Sequence, residues 1–281
     1  SEHRNKRQIS AALSTALQHD ELEIHYQPQC RTECTKFTGF EALLRWKHPE
    51  LGNVSPALFI PIAEETGQIA QLGEWVLRNA CAEAASWPNS LRIAVNLSPV
   101  QLQQPDLADM ISDVLQSTGL APHRLELEIT ETALIHNPTR SRQILDQIKK
   151  LGVCIAMDDF GTGYSSLATL LSFPFDKIKI DRSFVSCLIN SEEAIAIVRA
   201  VINLSRDLKM QVIAEGVETE EQAAFLLAEN CTEVQGYKYG HPRPIKEYHS
   251  ALESILTQLG IDEKKDSDPV VILTSPDDEN R

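Results

Sequence analysis

From residue 22 onward the chain repeats one unit: a short apolar run, a loop, and a stretch with helical spacing of its apolar residues. The runs fall at 22–29, 37–46, 91–97, 124–130, 153–158, 175–181, 211–217 and 233–239. Helical spacing is found at 56–66, 68–86, 99–118, 138–151, 191–208, 219–229 and 247–260, with a further helix ahead at 8–19. Strands that alternate with helices predict a parallel sheet, because neighbouring parallel strands need a long crossover between them. Eight such units in about 250 residues predict an α/β fold, a (β/α)8 TIM-like barrel, over an open doubly wound sheet. No G-x-G-x-x-G follows the first run, which speaks against a dinucleotide-binding fold.

Hydrophobic residues make up 42% of the 281 residues and charged residues 23%, enough for a sizeable core. No apolar run approaches about 18 residues, so no membrane span is expected. The stretch Ser1–Arg7 is charged and has no apolar centre, which reads against a secretory leader. Cys30, Cys34, Cys81, Cys154, Cys187 and Cys231 include no C-x-x-C pair, and read as reduced thiols of a cytoplasmic protein. The net charge of −14 argues against a nucleic-acid polymer as partner. It leaves a small anion open, since carboxylates loaded with divalent cations are locally positive. Residues 1–261 read as one domain. Residues 262–281 carry seven acids against three bases and read as an acidic tail or linker.

Catalytic groups of barrels sit at the C-terminal ends of the strands. The fifth run ends in Asp158-Asp159, followed by Phe160-Gly161-Thr162-Gly163. Adjacent side chains on a strand point to opposite faces, so both aspartates reach one site only if the strand breaks there. Two carboxylates so close need a cation between them or a shared proton, although a helix cap would also explain Asp159. Other runs carry Glu41, Asn96, Glu126, Glu128, Lys179, Asp181, Glu215 and Glu218. Each taken singly could be a solvated face or a helix start. Taken together they would put oxygen donors from successive strands around one mouth. Such an all-oxygen set suits Mg²⁺ or Mn²⁺ and not zinc, and the histidines are scattered.

The motifs Tyr26-Gln27-Pro28, Glu41-Ala42-Leu43, Asn96-Leu97-Ser98-Pro99, Glu128-Ile129-Thr130-Glu131, Asp158-Asp159-Phe160-Gly161, Lys179-Ile180-Asp181, Ala214-Glu215-Gly216-Val217-Glu218 and Gln235-Gly236-Tyr237 stand in this order. In them the chain resembles the EAL-domain phosphodiesterases of cyclic-di-GMP signalling. The resemblance covers about residues 10 to 250 and implies a barrel with one antiparallel strand, 22–29. It implies hydrolysis of cyclic-di-GMP to linear pGpG at a two-metal site. Glu41, Asn96, Glu128 and Asp158 are the implied ligands of a first metal, and Asp158, Asp159 and Glu215 of a second. Glu41, Asp158, Lys179 and Glu215 are the implied catalytic set. Gln27, Arg45, Gln235 and Asp181 are the implied substrate contacts. Glu131 and Glu218 are implied to steady the loop 158–170. Ca²⁺ is expected to bind and inhibit, and a homodimer is expected through the loop and the helix from Leu167 to Ser172. His241 stands where the family often has lysine. A receptor that has lost turnover and a scaffold remain alternatives, although every metal position is filled here.

Overall fold

The computed structural model describes residues 2–33, 36–161 and 167–258. The tail at 262–281, Cys34 and part of the loop 158–170 lie outside the described residues. The described residues form nine strands: β1 Leu22–Arg31, β2 Phe37–His48, β3 Gly52–Val54, β4 Arg92–Asn96, β5 Leu125–Thr130, β6 Cys154–Phe160, β7 Lys177–Ile180, β8 Gln211–Ala214 and β9 Glu233–Gln235. Their order is β1-β9-β8-β7-β6-β5-β4-β2, closed by a β1–β2 pairing, with β3 outside on β2. The eight-stranded barrel expected from the alternation is therefore formed. β1 runs antiparallel to both β2 and β9, and every other barrel pair is parallel. A short hairpin links β1 to β2, which only an antiparallel pair permits.

The helix-facing side of the strands is apolar, while the side towards the barrel axis also carries the buried Glu126, Glu128, Lys177 and Lys179. Leu127, Ile129, Ile155, Met157, Ile178 and Ile180 are all buried. The first helix, Glu2–Ala16, packs elsewhere. Its Ile9, Leu13 and Ala16 form a separate apolar cluster with Trp46, Phe59 and Leu72 on the flank of β2.

Several elements differ from the sequence reading. The stretch 99–118 is two helices, Pro99–Leu102 and Leu107–Thr118, interrupted before Pro105, which disfavours the helical conformation in the residue preceding it. β3 carries too few residues to show a period. Short helices at Glu131–Ile135 and Arg182–Ser186 follow β5 and β7 directly. The last barrel strand stops at Gln235 because the chain then turns across Gly236 onto Val217. The Val217 N–H donates to the Gln235 carbonyl at 3.0 Å, and the Lys238 N–H to the Val217 carbonyl at 3.1 Å.

Gly236 admits no side chain. A Cβ there would lie 2.2 Å from the Val217 carbonyl oxygen and 2.3 Å from its nitrogen, and neither backbone atom can swing away. Gly236→Ala is expected to destabilise the fold by about 2 kcal/mol or more, as overpacked sites do. Chemical denaturation of the variant measures this, and an unchanged midpoint would show that the turn yields freely.

Candidate active site at the C-terminal mouth of the barrel

The centre of the mouth is an ammonium. Lys179, on β7, is buried to 1% exposure in the barrel axis. Its Nζ touches Glu128 on β5 and lies 2.7 Å from Glu215 Oε1, 3.3 Å from Asp158 Oδ1 and 3.9 Å from Glu41 Oε2. Four carboxylates from four places in the chain thus face one positive charge. The parallel register makes this possible, because it aligns Asn96 with Glu128 and Thr130 with Asp158 on adjacent strands.

Glu41 is held from both sides. Its Oε1 accepts from Asn96 Nδ2 at 2.7 Å and its Oε2 from Gln235 Nε2 at 2.6 Å. Gln235 also donates to Gln27 Oε1 at 3.1 Å and accepts from Gln29 at 3.1 Å. Burial by itself would raise the Glu41 pKa. Lys179 and the amide donors more than offset it, and Glu41 stays below the usual carboxylate range.

The break after Met157 brings Asp158 and Asp159 to one site. The β6–β7 register shifts between Met157 and Phe160, and Asp159 has φ of 54°, in the left-handed region. Aspartate tolerates that region better than most residues, and such strain gathers at functional sites. One carboxylate oxygen each from Asp158, Asp159 and Glu215 then lies within 4.8 Å of the others. Gly216, beside Glu215, has φ of 70° and a Cβ there would meet the Arg182 side chain at 2.5 Å, so the chain turns sharply after β8.

This set is short of positive charge. Burial, then repulsion from Glu41, pushes the Glu128 carboxyl well above its ordinary range. Burial raises Glu215 to about 8, with Asp158 and Glu41 adding repulsion that Lys179 only partly offsets. Burial and the neighbouring Asp158 and Asp181 raise Asp159 to about 6. The four surrounding carboxylates, Asp158 foremost, outweigh burial at Lys179 and hold its pKa well above normal. Among the described residues, Glu128 Oε1 is buried without a hydrogen-bond partner, as is Glu126 Oε1 two residues earlier on the same strand. An orphaned carboxylate oxygen in an over-acidic pocket fits a hard divalent cation, and the donors available are the oxygen ligands such a cation takes.

The remaining expected residues fall around this centre at different distances from it. Asp181 neighbours Asp159 and caps the next short helix, accepting from the Ser183 N–H at 2.9 Å. Arg45 is half-buried on β2, near Glu41 and Tyr237, and donates to the Leu44 carbonyl at 2.9 Å. Gln27 donates to the Gly240 carbonyl at 3.2 Å, which ties β1 to the turn carrying His241. Glu131 is buried in the first turn of its short helix. The Glu218 side chain is exposed and has no partner among the described residues, while its N–H is held by Gln222 Oε1 at 2.8 Å. Sequence reading did not single out the pairing of Tyr237 with His241. Their rings stack at 4.2 Å between centroids, with Tyr237 53% exposed. Their spacing of four residues in a glycine-rich stretch was the only signal for it.

The EAL domain family matches residues 10–242. A signalling protein of Caulobacter vibrioides is 56% identical over 242 residues, covering 86% of this chain and 30% of that protein. The cyclic di-GMP phosphodiesterase NbdA of Pseudomonas aeruginosa is 41% identical over 259 residues, covering 91% of this chain and 33% of that protein. The chain therefore spans about a third of the length of these relatives. Among solved structures, the Pseudomonas aeruginosa MucR phosphodiesterase in complex with c-di-GMP superposes with a TM-score of 0.82 at 41% identity, covering 85% of this chain and 99% of that one. The FimX EAL domain of Pseudomonas aeruginosa bound to c-di-GMP superposes at 0.78 with 27% identity, covering 84% and 96%. By its barrel, its ordered motifs and these matches, the chain belongs to the EAL-domain family.

Proposed function

We propose that this chain hydrolyses cyclic-di-GMP to linear pGpG with Mg²⁺ or Mn²⁺ at the C-terminal mouth of its barrel. The observation that carries the reading is the excess of carboxylate around Lys179, where Asp158, Asp159 and Glu215 also bring one oxygen each to within 4.8 Å of one another. The likeness to NbdA and to the MucR phosphodiesterase supports the choice of substrate. Glu41, Asn96, Glu128 and Asp158 would hold one cation, and Asp158, Asp159 and Glu215 the other. Such cations would supply the nucleophile by lowering the pKa of a bound water.

The protein's own groups do the rest. Lys179 is fixed by its carboxylate neighbours, so its charge is already in place where negative charge builds on the phosphate. Asn96 and Gln235 hold Glu41 in one rotamer, which preorganises the site. Arg45 supplies a second positive charge for the phosphodiester. Gln27, Gln235, Asp181 and the Tyr237–His241 stack offer hydrogen-bonding and stacking surfaces to the guanines. Retention of every proposed ligand favours the enzyme over the receptor reading. The chain is read as the cytoplasmic phosphodiesterase part of a signalling protein. Among the described residues no helix is long and apolar enough to cross a membrane.

A homodimer is part of the proposal. Ile135, Leu167 and Leu171 are more than half exposed. Leu134, Ile135, Ala168 and Phe173 line one shallow cavity beside the active-site loop. A second copy covering this patch would steady the loop that starts at Asp159, with Glu131 and Glu218 bracing it. Sedimentation at several concentrations is expected to show a dimer. A monomer with full activity would remove the partner from the mechanism.

Incubation with cyclic-di-GMP is expected to yield pGpG with Mg²⁺ or Mn²⁺, and little with Ca²⁺, whose larger and looser shell misplaces the water. Full turnover in excess chelator would overturn the reading. Lys179→Ala is expected to lower kcat by about 100-fold or more, with KM changed little, as removal of a transition-state contact does. Parallel losses in binding and turnover would make Lys179 a ground-state contact.

The raised carboxylate pKa values give a second, activity-free test. Glu215 is ordinarily near 4.5 and is about 8 in the fold, and Asp159 moves from 3.8 to about 6. A folded-state pKa above the unfolded one gives stability that is complete below the unfolded value and lost as pH rises through the folded value. In chelator, the melting temperature is expected to fall between about pH 5 and about pH 8.5, as the mouth ionises. Mn²⁺ is expected to raise it, and by more at the higher pH, because metal binding needs the ionised carboxylates. A melting temperature that ignores both pH and Mn²⁺ would contradict the metal assignment.

A further inference from the structure

A cavity of about 740 Å³ opens at the other end of the barrel, far from the acidic mouth. Arg31 at the end of β1, Lys36 just before β2 and Arg92 at the start of β4 line it. Its single acid is Glu233, which is already bound by Lys177 at 2.8 Å and by Arg92. A protein of net charge −14 thus gathers three cations and one neutralised carboxylate in one hollow.

Two of those cations are uncommitted. The side chains of Arg31 and Lys36 are exposed and have no partner among the described residues. Arg92 is committed and therefore oriented: it donates to Gln211 at 2.8 Å and pairs with Glu233, which fixes its guanidinium in the wall. The Arg31 N–H donates to the Lys36 carbonyl at 2.8 Å, so the hairpin holds both residues at the same rim. Phe37, next to Lys36, and Ile255 of the helix His249–Gln258 add apolar lining.

We propose that this cavity is a binding site for a phosphate monoester with a flat heteroaromatic body, a ligand of mononucleotide size. Guanidinium and ammonium groups around a shared hollow match a dianionic phosphate, and Arg92 adds a preset planar donor. Phe37 and Ile255 take the body. The volume lies within the range of small-molecule sites, about 300–1,000 Å³. The site stands apart from the acidic mouth, so the inference does not rest on the proposed hydrolytic activity.

The test is titration calorimetry of the full chain in chelator, where the acidic mouth holds no cation and repels phosphate. Adenosine monophosphate, inorganic phosphate and adenosine are the probes. Adenosine monophosphate is expected to saturate one site, more weakly as salt is added. Its affinity is expected to fall about tenfold or more in the Arg31→Gln, Lys36→Gln double variant, in line with the loss of two charged contacts. Inorganic phosphate is expected to bind more weakly than the monophosphate, and adenosine not to bind. Both substituted positions are exposed, and an unchanged circular dichroism melt of the double variant confirms that the fold is kept. Unchanged affinity in that variant, adenosine binding as well as its monophosphate, phosphate binding as well as the nucleotide, or no saturable binding would each overturn the assignment.

Discussion

The mouth of this barrel depends on a single buried ammonium. Lys179 sits among Glu41, Glu128, Asp158 and Glu215, and among the described residues no other cation touches all four. Buried carboxylates repel one another strongly in a medium of low polarisability, so they stay together only around opposite charge. One ammonium is not enough for four of them. The deficit shows as Glu128 and Glu215 carboxyls pushed far up in pKa. The fold therefore holds the mouth in a state that additional cations would relieve. The same charge that binds the set together without metal stands beside the reacting phosphate when metal is present.

Below that layer lies a second one. Glu126, Lys177 and Glu233 each precede Glu128, Lys179 and Gln235 by two residues, and in a strand residues two apart share a face. Lys177 lies 2.7 Å from Glu126 and 2.8 Å from Glu233. Here positive and negative groups nearly balance, Arg92 included. The barrel axis thus carries a balanced ionic layer under an acidic one. The balanced layer holds the strands in register at their N-terminal ends, and the acidic layer is left to take ligands. Strand β9 links the two in three residues: Glu233 serves the lower layer, Gln235 orients Glu41 in the upper one, and Gly236 ends the strand.

Much of this was legible from particular residues. The Asp158-Asp159 pair required a break in the strand, and the register shift after Met157 with the left-handed Asp159 is that break. The alternation of eight apolar runs with helical stretches predicted the closed barrel, and the resemblance identified the antiparallel β1. Less local features were hidden. Pro105 marked the split in 99–118, but helical periodicity continued on both sides of it. The three-residue strand β3 had no period to read, and the stacking of Tyr237 on His241 depends on how one turn closes.

The sequence by itself determined which residue types the strands would carry to the mouth, because period and order along the chain are local properties. It also determined that six oxygen-bearing positions would fall near strand ends, with only hard ligands among them. Tertiary structure alone decided how far each charge stands from the next. Lys177 and Lys179 look alike in the sequence, both in one apolar run. Across the barrel, Lys177 meets two carboxylates, one of them also paired with a guanidinium, while Lys179 meets four that form no other ion pair among the described residues. That difference makes one lysine part of a balanced layer and the other the centre of the candidate active site. It arises from closure and register, which bring together residues more than 50 positions apart in the chain.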